Sequence, residues 1–164
     1  MGTIAYGTEY CRVLSRAALI FGVLFGALMG LGLFTFHYAA GTSYFSPDPK
    51  ACVNCHIMSD EYNSWTKAGH HQAARCIDCH LPHEFIPKYI AKGDNGWRHS
   101  KAFTLQNFHE PIQITPRNAD ILQENCVRCH ADFVHELVEG ARLPSGEAVQ
   151  CVHCHRNVGH GARF

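Results

Sequence analysis

Four stretches of this 164-residue sequence decide its fold: Cys52-Val53-Asn54-Cys55-His56, Cys76-Ile77-Asp78-Cys79-His80, Cys126-Val127-Arg128-Cys129-His130 and Cys151-Val152-His153-Cys154-His155. Each reads Cys-x-x-Cys-His, the attachment signature of a c-type haem. Two thiols add covalently to the porphyrin, and the histidine that follows lies beneath the iron as an axial ligand. We therefore predict four covalently bound haem c groups, at motifs numbered one to four along the chain.

Two other interpretations of the cysteines are weaker. Structural zinc sites pair Cys-x-x-Cys units, usually without a fixed histidine directly after them, whereas all four motifs here end in histidine. A disulfide framework would join cysteines that are three positions apart, and such short loops constrain the chain very little.

Length and charge restrict the fold. The formal net charge is zero, so nothing suggests nucleic acid as a partner. Residues 41–164 leave about 31 residues for each of four haems, too few for an ordinary hydrophobic core. We predict a mainly α fold: one N-terminal transmembrane helix and a small multihaem c-type cytochrome domain with little regular structure beyond short helices.

The segment AALIFGVLFGALMGLGLFTF, residues 17–36, contains no charged residue. At 1.5 Å per residue it is long enough for the roughly 30 Å hydrocarbon core of a bilayer. A cleaved signal peptide is the alternative, but no Ala-x-Ala site follows the segment. We predict a cytoplasmic N-terminus at 1–16, a signal anchor at 17–38 and a haem domain at 39–164.

Two arguments orient the chain in a bacterial inner membrane. Arg12 and Arg16 precede the span, in weak agreement with the positive-inside rule. Haem c is attached outside the cytoplasm, so the haem domain is expected on the periplasmic side of this single-pass protein.

A small-residue pattern lies within the span. Gly22, Gly26 and Gly30 recur every four residues, and such faces allow two membrane helices to approach closely. Self-association through this face is one interpretation, and ordinary glycine usage in a membrane helix is the other.

The segment after motif two opens with an amphipathic pattern. Phe85, Ile86, Tyr89 and Ile90 fall at helical spacing, with lysines on another face. The segment either lies on membrane lipid, with its aromatic residues buried in the interface, or packs its apolar face on a haem. Further along the chain, a helix over 118–125 is predicted to lead into motif three.

Motif one contains two candidate iron ligands. Met58 lies two residues after His56, and it is the only methionine outside the initiator and the span. A thioether ligand raises the potential of a haem. The spacing alone leaves His56 and Met58 equally acceptable.

The sequence also provides more histidines than four irons need. The candidates for the distal ligand positions are His70, His71, His83, His99, His109, His135, His153 and His160. His160 lies too close to His155 in sequence to reach around the same haem, so it is expected to serve a neighbouring one.

Taken together, the motifs make the chain resemble the NapC/NirT family of membrane-anchored tetrahaem quinol dehydrogenases. The likeness is carried by the anchor, CVNCHIM from residue 52, GHH at 69–71, CIDCHLPH from 76, ENCVRCH from 124 and CVHCHRNVGH from 151. The CHxM form of motif one and the short ending are most similar to the branch that serves ammonia-forming nitrite reductases.

The resemblance implies specific ligands. Met58, rather than His56, ligates the haem of motif one. Distal ligands come from the GHH stretch, most simply His70 rather than His71, and from His160, without a fixed assignment to individual haems. The proximal ligands at the other three motifs are His80, His130 and His155.

The same resemblance implies a quinol pocket beside the haem of motif one. Lys92 fits the lysine of that pocket. His99 lies two helical turns further on and is either a proton acceptor or a sixth ligand of that haem. Asp94 is the alternative acid.

The function implied is oxidation of menaquinol at the membrane surface, with electrons passed to a periplasmic pentahaem cytochrome c nitrite reductase. Service to another periplasmic reductase, or a haem relay without its own quinol site, are the alternatives. Catalytic reduction at an open haem is least favoured, because the surplus of histidines predicts mostly six-coordinate irons.

Overall fold

The structure, a computed structural model, describes residues 3–138, 142–146 and 148–161, without the side chains of 3–11, 56 and 135–138. The chain divides into two compact units between Ser46 and Pro47. The first unit holds the apolar segment, and the second holds all four motifs. Each unit is described by itself below.

The first unit is one long helix followed by a short turn. Helix α1 spans Thr3–Tyr38, and its part from Arg12 to Tyr38 has a mean hydropathy of 2.3 with no buried residues. Those 27 residues exceed the length needed to cross a bilayer. Within the part of the chain that the structure describes, this is the one helix that meets that criterion.

A residue with a left-handed backbone conformation follows the end of α1. Ala40 has φ 50°, and a 3-10 helix follows at Gly41–Phe45. The ring of Phe36 lies against Gly41, and a Cβ atom at that position would displace the ring. In contrast, no other group lies within 4 Å of the Cβ positions of Gly22, Gly26 and Gly30. That face of α1 is therefore open to another helix, and self-association stays a prediction.

The second unit consists of short helices joined by turns. Its elements are 3-10 helices at Pro49–Asn54 and His56–Met58, and helices α2 (Ser59–Trp65), α3 (Cys76–His80), α4 (Phe85–Leu105), α5 (Pro116–Val138) and α6 (Cys151–Cys154). Within 3–138, 142–146 and 148–161, the only β pairing is one isolated bridge between Arg142 and Ala148. The predicted mainly α fold is confirmed.

The second unit contains two long helices, and one of them exceeds its predicted length. Helix α4 continues through Gly93 and Gly96 and ends only where Gln106 adopts φ 53°. Helix α5 begins at Pro116, a favoured first position for proline, and carries motif three in its interior. The prediction of a helix confined to 118–125 was too short, because no proline or glycine interrupts the chain between Pro116 and Val138.

Very little of the second unit is buried by the polypeptide alone. The buried apolar residues among those described are Leu81, Ala91 and Ile121, with Ile77 packed against them. None of the described large side chains is fully buried. A unit of this size needs a larger apolar core than this small cluster.

A buried asparagine ties α5 to the end of α3. Asn125 is 7% exposed, and its Nδ2 donates to the carbonyl oxygens of Cys79 at 3.0 Å and Leu81 at 2.9 Å. Both carbonyls belong to the end of a five-residue helix, where no further turn provides a partner. One side chain therefore fixes the position of motif two relative to motif three.

We expect Asn125→Ala to lower the free energy of unfolding by about 1–3 kcal/mol, because two carbonyl oxygens lose their donor in a buried position. Thermal unfolding of the haem-loaded full chain measures this change. The exposed Asn107 provides a control, and Asn107→Ala should be close to neutral. Equal effects of the two substitutions would show that the Asn125 hydrogen bonds add nothing.

Candidate haem centres and quinol pocket

Motifs one and two lie side by side. The Cys76 thiol is a hydrogen-bonding neighbour of the Cys52 sulfur. This contact lowers the pKa of Cys52 to about 7 and raises that of Cys76. The first cysteines of the two motifs are therefore in direct contact.

Motifs three and four are also neighbours, as the short segment between them requires. Cys126 and Cys151 lie within hydrogen-bonding distance, although burial is the larger cause of the raised pKa of Cys126, at about 11. The backbone N–H of Cys151 donates to Oε1 of Gln123 on α5 at 2.8 Å. Motifs two and three are joined through Asn125, so the four motifs form one series in chain order.

The first histidine pair joins motif two to the C-terminal segment. The rings of His80 and His160 face each other with centroids 6.0 Å apart and planes inclined by 35°. Burial, and secondarily His160, lower the pKa of His80 to about 4. His80 is therefore neutral at pH 7, which is the form of imidazole that binds metals.

The second pair joins the GHH stretch to motif three. The rings of His70 and His130 also have centroids 6.0 Å apart, with planes inclined by 67°. Nδ1 of His70 lies 3.2 Å from the carbonyl oxygen of Val158. A carbonyl oxygen only accepts, so this Nδ1 carries the proton and Nε2 retains its lone pair.

Both pairs have the spacing that iron between two imidazoles requires. Metal–nitrogen bonds of about 2 Å on opposite sides of one metal put the two ring centroids roughly 6 Å apart. The small core gives the same indication, since the polypeptide by itself does not fill the space among its motifs. The residues present thus fit bis-histidine haems at motifs two and three.

His71 has a different environment from His70. Its ring packs edge-on against Trp65 at 4.5 Å, and its Nδ1 is 3.2 Å from the side-chain nitrogen of Gln72. Trp65 is itself fixed by donating to the carbonyl of Ala74 at 3.0 Å. Of the two adjacent histidines, His70 faces a motif histidine and His71 packs on an aromatic ring.

Motif one leaves its ligand open. Met58 is partly buried at the end of a 3-10 helix, and its N–H donates to the carbonyl of Cys55 at 2.9 Å. The side chain of His56 lies outside the described residues. The choice between Met58 and His56 therefore stays as the sequence left it.

Motif four faces an open cavity of about 650 Å³. Its lining includes Cys154, His155, Arg156 and His70. Within the described part of the chain, no histidine ring is paired with His155 in the way that His160 is paired with His80. His153, inside the same motif, accepts at Nδ1 from the N–H of Gln150 at 3.2 Å.

The candidate pocket lysine lies next to motif one. Lys92 is buried on α4, with 9% of its surface exposed, and its Nζ is 5.9 Å from the centre of the Tyr89 ring. Desolvation lowers the pKa of Lys92, Lys88 lowers it further, and the nearby Cys52 opposes the shift. A lysine residue that is largely buried thus lies beside the first haem-binding cysteine.

The two candidate proton acceptors are placed less favourably. Asp94 forms an ion pair with Arg117 on α5 at 3.1 Å, which joins the two helices together with the hydrogen bond between Asn118 and Asn95. His99 is exposed, although partial desolvation and then Arg98 lower its pKa. The structure brings Lys92 to motif one and gives no described contact of Asp94 or His99 there.

Two polar residues at the centres were not found by sequence analysis. Glu61 lies against His160, and Asn125 connects motifs two and three. Glu61 belongs to no motif and lies 99 residues before its partner, so only the folded chain reveals its role. Asn125 directly precedes motif three. This adjacency is the one local signal in the sequence for its role.

Comparison with known proteins decides the family. The profile of the NapC/NirT cytochrome c family, N-terminal region, matches residues 12–117, more than half of the chain. The protein belongs to the NapC/NirT cytochrome c family. Members of a cytochrome c family carry covalently bound haem c, in agreement with the Cys-x-x-Cys-His motifs.

Individual relatives of this NapC/NirT cytochrome are similar over most of their length. "Cytochrome c-type protein NrfH" of Wolinella succinogenes is 39% identical over 147 residues, covering 85% of this chain and 83% of that protein. "Cytochrome c nitrite reductase subunit NrfH" of Nitratidesulfovibrio vulgaris is 32% identical over 140 residues, covering 84% and 82%.

A solved structure gives the same fold. It is the crystal structure of the cytochrome c nitrite reductase NrfHA complex bound to the HQNO inhibitor. One chain of it matches this NapC/NirT cytochrome with a TM-score of 0.61 and 28% identity, covering 85% of this chain and 90% of that one. The apolar helix α1 and the family together indicate a single-pass membrane anchor.

The two neighbouring histidines provide a direct test of the pairing. We expect His70→Ala to convert one haem of this NapC/NirT cytochrome from low-spin to high-spin, because that iron loses one imidazole. His71→Ala should leave the haem spectrum unchanged. Electron paramagnetic resonance of the purified full chain, with haem content as the control, measures both; the reverse pattern would identify His71 as the ligand.

Proposed function

We propose that the protein is a membrane-anchored tetrahaem cytochrome c that oxidises menaquinol and delivers the electrons to a pentahaem periplasmic nitrite reductase of the NrfA type, for reduction of nitrite to ammonia. The observation that carries this proposal is the series of four motifs, with a buried lysine beside the first and an open cavity beside the last. The likeness to NrfH proteins supports the choice of electron donor and partner.

The chain's own residues bind the haems. Eight cysteines attach them: Cys52, Cys55, Cys76, Cys79, Cys126, Cys129, Cys151 and Cys154. His80 and His160 hold one iron, His70 and His130 hold another, and His155 and Met58 are ligands at the two ends of the series. When bound, haem c supplies one-electron transfer from the motif-one end to the motif-four end.

Lys92 binds the quinol. Its ammonium group donates to a quinol oxygen and stabilises the negative charge that develops as the proton leaves. Burial beside motif one strengthens this interaction, because less water competes for the charge. His99 or Asp94 accepts protons, and two protons leave for each menaquinol oxidised.

Membrane lipid is the second contact of the chain. Helix α1 spans the inner membrane, and the haem unit lies on the periplasmic side. Several apolar side chains of α4 are exposed, among them Phe85, Ile86 and Trp97 at 69–75%. They fit an interfacial helix through which an apolar quinol reaches Lys92.

One observation favours a second candidate, a haem relay without its own quinol site. Asp94 is held by Arg117, and His99 is exposed, so neither acid–base group lies beside Lys92 in a complete pocket. In that case a separate quinol-oxidising protein would supply electrons at motif one. Alternatively, the relay would serve another periplasmic reductase.

Lys92→Ala distinguishes these functions. We expect it to lower the rate of reduction by a menaquinol analogue at least tenfold, because the buried donor to the quinol oxygen is lost, while dithionite reduction and the haem spectrum stay unchanged. Stopped-flow absorbance of the full chain in detergent measures the rates. The exposed Lys101 on the same helix provides the control substitution, Lys101→Ala. Wild-type rates in Lys92→Ala would support the relay.

Met58→His tests the first ligand. Replacing a thioether with imidazole should lower the potential of one haem, and each shift of about 59 mV is a tenfold change in the one-electron equilibrium. Spectroelectrochemical titration measures the four potentials. Four unchanged potentials would identify His56 as the ligand.

The partner is tested by purification. The detergent-extracted full chain is expected to bring down a pentahaem nitrite reductase from its native membranes. Recovery of a nitrate reductase instead would place the protein on the NapC branch.

A further inference from the structure

The His160 ring lies between two partners, His80 and Glu61. One side of its ring faces His80. On the other side, Nδ1 lies 3.1 Å from the carbonyl oxygen of Glu61 and 3.5 Å from Oε2 of the same residue. Because the carbonyl oxygen only accepts, Nδ1 carries the proton and Nε2 retains its lone pair. A single residue, Glu61, thus offers two oxygens to one N–H group.

His70 provides an internal comparison. It occupies the matching position opposite His130, and its Nδ1 also lies near a backbone carbonyl, that of Val158. Among the described side chains, no carboxylate is ion-paired with His70. The two histidine pairs are therefore alike in centroid spacing and in having a backbone acceptor. They differ in the inclination of their rings, 35° against 67°, in the exposure of His130, and in the carboxylate beside His160.

The carboxylate of Glu61 lies where its charge can act on the His160 ring. The side chain of Glu61 is 15% exposed and that of His160 is 30% exposed. Solvent therefore screens the interaction only partly, and a charge at this distance acts strongly on the ring. A carboxylate next to the N–H of a metal-bound imidazole makes the imidazole a stronger donor.

We propose that Glu61 is a positioning residue that lowers the reduction potential of the haem at motif two below that at motif three. This inference rests on the proposed ligand pair His80 and His160. A stronger imidazole donor and a nearby negative charge both stabilise ferric over ferrous iron, so the potential falls. His70, with only a backbone acceptor, leaves the potential at motif three higher.

The difference in reduction potential between motifs two and three affects the direction of electron transfer. Motif two follows motif one in the series, and motif three lies further from the proposed quinol pocket. A lower potential at motif two makes the step to motif three downhill. Glu61 thus opposes return of the electron from motif three to motif two, while it makes the step from motif one to motif two less favourable by the same amount.

The test replaces Glu61 in the haem-loaded full chain. Glu61→Gln keeps the backbone carbonyl and a side-chain oxygen but removes the charge. We expect the equilibrium of one haem to shift roughly tenfold in favour of its reduced form. For one electron, this shift raises the potential of that haem by about 59 mV. Asp60→Asn removes the same charge from the exposed neighbour on α2 and should leave all four potentials unchanged.

A second variant separates failure of this inference from failure of the ligand pair. His160→Ala should convert one haem to high-spin, and Glu61→Gln added to it should shift that haem's potential less than Glu61→Gln does alone, because only the through-space effect of the charge remains. If His160→Ala leaves every haem low-spin, the ligand pair itself is wrong. If His160→Ala behaves as expected but Glu61→Gln shifts no potential more than Asp60→Asn does, the ligand pair stands and the role of Glu61 is overturned.

A third variant covers the loss of haem from Glu61→Gln during purification. Glu61→Asp retains the charge and withdraws it from the ring by one methylene. It should raise the same potential by a smaller amount, with low-spin signals intact. An unchanged potential in Glu61→Asp, when Glu61→Gln cannot be purified, counts against the proposal.

Discussion

The haem unit depends on one set of contacts between its C-terminal segment and residues near motif two. The segment that follows motif four returns to α2 and to the GHH stretch. There Val158 accepts from His70, and His160 lies between Glu61 and His80. The polypeptide buries only a small apolar cluster of its own, so these polar contacts, together with the covalently bound haem of a cytochrome c, replace the core that a domain of this length otherwise requires.

Local chemistry could be predicted from the sequence, and long-range pairing could not. The haem motifs and the apolar span are consecutive residues, so their meaning is independent of the fold. The lysine of α4 followed from a resemblance, and the structure puts Lys92 next to motif one. In contrast, His70 pairs with a residue 60 positions later and His160 with one 80 positions earlier. Spacing along the chain carries no information about such partners.

The misjudged length of α5 has a related cause. Pro116 marks the start of the helix, but an attachment motif carries no signal for whether a helix stops or continues through it. The chain beyond it contains no residue that stops a helix before Val138, so the helix continues. Likewise, Asp94 was chosen as an acid by its position near Lys92, whereas its ion pair with Arg117 depends on how α4 and α5 pack.

The order of ligands along the chain also has a consequence for maturation. His160 follows all four motifs, and it faces the histidine of the second. In the proposed arrangement, the cysteines of motif two reach the periplasm before His160 does, so the iron there first has only one protein ligand. Contacts between distant residues form slowly, because a long loop must close first. With the proposed ligand pair, the centre at motif two is completed only once the segment after motif four has emerged, and a chain stalled after motif three leaves it half-ligated.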